Sequence, residues 1–142
     1  TVVVGTGTKN GYLHCAFEAL DIDSVAQGQQ MLKAGGWRHA WGVGRHLLGS
    51  QLFDYWHDPD GFEVEHYADG DVFDASHPTA YRVLDRGGLW QWGADLPGDF
   101  VPQLGPGMLV DITRGLLAGD FDFATLKQLG AAMAKAPRPW LR

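Results

Sequence analysis

His46, Tyr55 and Glu65 stand nine and then ten positions apart, within the stretch G-R-H-L-L-G-S-Q-L-F-D-Y-W-H-D-P-D-G-F-E-V-E. These are three different chemical tools. An imidazole takes up or releases a proton near neutral pH. A phenol donates one proton, and an ionised carboxylate only accepts or binds cations. Glu63 precedes Glu65 by two, beside Phe62 and Val64. On a strand, residues two apart share a face. Either that face is an edge open to water, or it turns into a sheet interior. In an interior a carboxylate is costly unless a cation or donors satisfy it. The second case is the reason to look for a metal, and His14 is the upstream residue that would join it. Taken alone, His14 is more often a hydrogen-bonded structural histidine than a ligand.

The elements that must position these groups follow from local signals. Asp58-Pro59-Asp60-Gly61 is a turn: Pro presets φ at its second position and Gly supplies the positive φ that closes it. The β-rich runs at 51–56 and 62–67 then form a hairpin, with Gln51, Phe53 and Tyr55 on one face. Residues 12–19 read as an earlier strand with Tyr12, His14, Ala16 and Glu18 on one face. Between them, Ser24 with Gln27 fits a capping box opening a helix that Gly35-Gly36 ends. Its stripe of Val25, Gly28 or Gln29, and Leu32 should face the sheet. Residues 37–45 (W-R-H-A-W-G-V-G-R) read as a short strand or an irregular wall, with Trp37 and Trp41 as packing.

The flanks are less regular. Residues 1–4 read as a strand or the tail of one, and 5–11 as a loop; Gly5 and Gly7 lack the third glycine of a dinucleotide fingerprint. Residues 68–78 form an acidic loop, and 79–92 are mixed, with a short strand expected around 81–84. Residues 95–107, with Pro97, Pro102 and Pro106, should cross in extended form. Helices are expected over 108–117 and 121–136, the second with Leu126, Leu129 and Met133 on one side and Pro137 after it. The aromatics of the tail suggest that it lies over apolar surface.

The 142 residues suffice for one core, and 45% hydrophobic content places the chain among globular proteins. A net charge of −6, with no basic run, argues against a nucleic-acid partner. Cys15 is the single cysteine, which points to a reducing, cytoplasmic setting. No apolar run has the length of a membrane span.

His14, His46, Tyr55 and Glu65, with the G-R-H, P-x-G and E-V-E signatures between them, resemble the second half of a type I extradiol ring-cleavage dioxygenase. These catechol 2,3-dioxygenase-like enzymes belong to the vicinal oxygen chelate (glyoxalase/bleomycin-resistance) superfamily. The resemblance covers residues 13–70, with weaker support from D-L-P-G-D-F at 95–100. It implies an α+β fold: a βαβββ-type module over residues 1–70, forming part of an open barrel, and a helical or irregular tail over 71–142 packed on it. It implies His14 and Glu65 as metal ligands, with Fe(II), or alternatively Mn(II), as the ion. It also implies His46 as the histidine that hydrogen-bonds substrate and oxygen, and Tyr55 as the donor to the substrate oxygen. The substrates would be a catechol-type molecule and O2. Phe53 is a candidate pocket wall, though core packing is its commoner use. His39, His57, His66 and His77 match no ligand position and are read as surface or loop residues.

The resemblance leaves a gap. The family's first histidine ligand, and another catalytic histidine, would lie upstream, and the chain opens at Thr1 in an apolar run, as if cut. Either a missing N-terminal half completes the sheet, or two copies associate to do so. The alternatives within the superfamily are a dimeric small-molecule binding or resistance protein and a metal-dependent lyase or isomerase. The His46–Tyr55–Glu65 set favours the oxygenase, because a pure binder needs neither a buried carboxylate nor a second acid.

Overall fold

The computed structural model describes residues 2–5, 7, 8, 11–100 and 105–141. Thr1 of the expected first strand, Thr6, Lys9 and Asn10 of the expected loop, and residues 101–104 of the crossing segment lie outside the described residues.

The order is β1 (His14–Glu18), α1 (Ile22–Ala34), β2 (His39–Arg45), β3 (Leu52–His57), β4 (Glu63–Ala68), β5 (Trp92–Gly93), α2 (Pro106–Ala118) and α3 (Phe123–Ala134). The five strands make one open sheet in the order β1-β4-β3-β2-β5, with β1 parallel to β4 and the other pairs antiparallel. This is the expected βαβββ module, with one short strand added at the edge.

The hairpin forms where its turn chemistry places it. Gly61, at φ 88°, closes the reversal; its N–H meets the Asp58 carbonyl at 3.0 Å, and the Asp58 side chain accepts from the N–H groups of Asp60 and Phe62. The helix begins earlier than the capping box suggested. Asp21, not Ser24, is the N-cap, and its Oδ1 accepts from both the N–H and the hydroxyl of Ser24. An ionised cap with two donors outcompetes a hydroxyl cap one turn later.

Of the two readings of residues 37–45, the strand is the one found, over His39–Arg45, because β2 is paired on both edges, by β3 and β5, which overrides the poor strand propensity of its two glycines. Two further expectations are corrected. No strand forms around 81–84; the edge strand is β5, ten residues on. Val2, Val3 and Val4 lie in no strand and are exposed. In the tail, Leu89, Trp90, Leu96 and Phe100 do cover the sheet. The helices beyond do not bury their apolar side chains: Leu117 is 85% and Phe123 76% exposed.

Packing is divided by β3, whose first five residues are all buried. Leu52 faces α1 with Val25 and Ala68. Phe53 and Tyr55 face the other way, into a cluster with Trp41 and Trp90. β5 approaches β2 through a pair of glycines: a Cβ on Gly44 would meet Phe53 Cζ at 2.5 Å and the Trp92 carbonyl at 2.8 Å. Gly44→Ala is therefore expected to cost about 1–3 kcal/mol, as overpacking does, read as a lower urea midpoint at unchanged slope.

Candidate metal centre and active site

His14 and Glu65 arrive from neighbouring parallel strands. The register sets Ala16 opposite Glu65 and His14 opposite Glu63, so both acids and the histidine project from one face. His14 Nε2 lies 3.1 Å from Glu65 Oε2. Glu65 is 1% exposed, and its Oε1 is buried without a hydrogen-bond partner, as is His14 Nδ1. A carboxylate this buried with a free oxygen is expensive unless charge compensates it. The donor set, one imidazole and one carboxylate side by side, fits a divalent first-row metal. Among the described residues no group of three His, Cys, Asp or Glu side chains forms a metal cage. Among the described residues, His14 and Glu65 therefore make a pair of candidate ligands and not a set of three. Glu63 shares the face, half-buried, with its carboxyl pushed above the usual range chiefly by burial.

Tyr55 stands directly across from Glu65 in the β3–β4 register. Its ring meets His14 edge-on at 5.1 Å and stacks on Trp41 at 5.7 Å. Burial, and then the Glu65 charge, push its phenol far above the ordinary range, so it stays a proton donor. His46 follows β2, in a turn closed by its N–H on the Gln51 carbonyl at 2.9 Å. Its Nδ1 lies 2.7 Å from the Leu89 carbonyl, and its Nε2 3.0 Å from the Tyr55 hydroxyl and 3.7 Å from Glu65 Oε1. A carbonyl has no proton to give, so Nδ1 carries the hydrogen and Nε2 accepts from Tyr55. Burial lowers the His46 pKa and keeps the ring neutral. Phe53 is fully buried and stacks under His46 at 4.2 Å; it supports that ring and does not line an open pocket.

His39 departs from the surface role expected of it. A register shift between His39 and Trp41 turns His39 to the helix face while Trp41 points to the opposite cluster. There His39 Nε2 lies 2.8 Å from Asp54 Oδ1, which also accepts from the Gln29 amide at 3.0 Å; Asp54 Oδ2 accepts from Trp56 Nε1. Asp54 is 0% exposed. The signal was present in L-F-D-Y-W-H: an acid in the middle of a strand buried on both faces requires partners. Asp54→Ala leaves those donors unpaired and is expected to cost about 3–5 kcal/mol, measured by chemical denaturation.

Three comparisons bear on this arrangement. No protein-family model matches the chain. Metapyrocatechase 2 of Cupriavidus necator is 38% identical over 95 residues, which are 66% of this chain and 30% of that protein. Among solved structures, the Mn(II)-bound glyoxalase of Novosphingobium aromaticivorans superposes with TM-score 0.54 at 29% identity, over 66% of this chain and 33% of that one. Homoprotocatechuate 2,3-dioxygenase of Brevibacterium fuscum, in its anaerobic complex with 3,4-dihydroxyphenylacetate, gives TM-score 0.52 at 25% identity, over 61% and 28%. The chain spans about a third of the length of each.

Proposed function

Since the chain carries a catechol 2,3-dioxygenase-like module of the vicinal oxygen chelate class, we propose that it is the metal-binding C-terminal part of a non-heme Fe(II) extradiol dioxygenase. The reaction is the opening of a catechol-type ring beside its diol by O2. The observation that carries this reading is the convergence of His14, Glu65, Tyr55 and His46 on one buried face of the sheet.

His14 and Glu65 would hold the ion, Fe(II) with Mn(II) as the alternative, with a third ligand supplied by an N-terminal half or by a second copy. A bound ion would supply a common centre for diol and O2, which would remove most of the cost of their encounter. The ligand pair also holds a proton: His14 Nε2–H donates to Glu65 Oε2 at 3.1 Å, and a cation must displace that hydrogen. Tyr55, kept protonated by burial, donates to a substrate oxygen in place of His46. His46, neutral and with Nε2 free to accept, takes the proton that the diol releases. The aromatic cluster of Trp41, Phe53 and Trp90 keeps water from this face.

No described helix is long and apolar enough to cross a membrane, and we place the protein in the cytoplasm on the strength of its single cysteine. The likeness to the Novosphingobium glyoxalase supports a second reading, a metal-dependent lyase or isomerase, which would use His14 and Glu65 but has no task for Tyr55. One experiment separates them. The full-length protein is loaded anaerobically with Fe(II), mixed with 2,3-dihydroxybiphenyl and exposed to air. A yellow ring-opened product with matching O2 uptake is expected. Full metal loading without O2 uptake would sink the oxygenase reading in favour of the isomerase.

A further inference from the structure

The proton position on His46 depends on a strip of chain outside the βαβββ module. That strip is residues 89–94. Leu89 supplies the carbonyl that accepts from His46 Nδ1 at 2.7 Å. Gln91 donates its N–H to the Arg45 carbonyl at 2.7 Å, and Trp92 and Gly93 pair with Arg45 and Gly44. The Ala94 carbonyl accepts from Trp41 Nε1 at 2.9 Å. A two-residue strand is a weak hold on a sheet edge, so something else must fix the strip.

Arg138 does so from the far end of the chain. Its Nη1 donates to the Gly93 carbonyl at 3.0 Å, its Nη2 pairs with Asp95, and its guanidinium lies 5.3 Å over the Trp90 ring. One side chain therefore holds the strip at Trp90 and Gly93 and, just beyond its end, at Asp95. Trp90 passes this on, packing edge-to-face on Trp41 at 5.5 Å, beside Tyr55. Arg138 itself sits at φ 44°, in the left-handed region that a side chain adopts only when its surroundings dictate it. A planar fork with several donors suits this grip in a way that a point charge does not.

We propose that Arg138 is a positioning residue for His46: through residues 89–94 it holds the imidazole in the Nδ1–H tautomer, with Nε2 turned to Tyr55. The catalytic meaning of that tautomer rests on the function proposed above; the structural effect does not. Without the clamp the Leu89 carbonyl moves off Nδ1, and the ring is free to place its hydrogen on Nε2. Tyr55 and His46 would then both present a hydrogen where one donor and one acceptor are required.

The test is long-range ¹H–¹⁵N correlation of histidine side chains in this chain, metal-free at neutral pH. Wild type should show the His46 hydrogen on Nδ1. Arg138→Met keeps the stem over Trp90 but loses every donor, and should move His46 to a mixture or to Nε2–H. Arg138→Lys should recover part of the wild-type pattern. Lys135→Met removes only the neighbouring pair with Asp85 and should leave His46 unchanged. Should Arg138→Met fail to fold, Asp95→Ala decides, since Asp95 is 79% exposed and loses one anchor without disturbing the core; a partial shift is expected. An unchanged Nδ1–H pattern in a folded Arg138→Met, or in Asp95→Ala where that variant decides, overturns the proposal. The measurement uses neither metal nor turnover, so an absence of ring cleavage would count against the function and not against this clamp.

Discussion

Glu65→Gln in the full-length protein is expected to abolish metal retention and ring cleavage together, while making the metal-free chain more stable. The two effects have one cause. Glu65 is a buried carboxylate with one oxygen on His14 and the other without a partner. As a ligand its charge is what the ion needs, and an amide oxygen replaces it poorly. Loss of a mere outer hydrogen-bond partner costs roughly 10–100-fold in metal affinity, so loss of the ligand should exceed about 100-fold. In the metal-free state that charge is a liability. Its removal should gain about 1–3 kcal/mol, the scale of an unsatisfied buried group. Metal content, product formation and urea denaturation of the apo chain read the three arms. Full metal occupancy in Glu65→Gln would remove Glu65 from the ligand set.

Tyr55→Phe should do the reverse: metal retained, rate lost. The phenylalanine ring keeps its contacts with Trp41 and His14, so the fold changes little. The hydroxyl that faces His46 Nε2 at 3.0 Å is gone. A positioned proton donor is worth roughly 10²–10⁴-fold in rate, and the loss should appear in kcat more than in KM. A Tyr55→Phe protein with wild-type kcat would leave the site with no acid of its own and would favour the isomerase reading.

The sequence made the hairpin legible because its turn is written in residue types: Pro59 and Gly61 each do one conformational task. Strand alternation puts Phe53 with Tyr55 on one strand and Glu63 with Glu65 on the next, and the structure pairs Tyr55 with Glu65 in register. What the sequence hid was set by partners distant in the chain. β2 is a strand because of what lies on either side of it, and Gly42 and Gly44 mask that locally. The start of α1 was misread because two overlapping caps were present, and the ionised one prevailed. His39 was misassigned because a register shift, which no periodicity encodes, decides which face it occupies. The role of residues 89–94 was invisible for a related reason: Leu89 acts through its carbonyl, which every residue type possesses.

The parallel pairing of β1 with β4 bears on the order in which the molecule assembles. His14 and Glu65 meet across 51 residues of chain, whereas His46 and Tyr55 meet across nine. Local contacts close early, and distant ones must first overcome the entropy of the loop between them. The His46–Tyr55 contact is therefore expected to form with the hairpin, and the His14–Glu65 contact only when β1 docks. A partly folded chain in which β1 has not docked would lack the His14–Glu65 contact, so that contact reports the docking of β1.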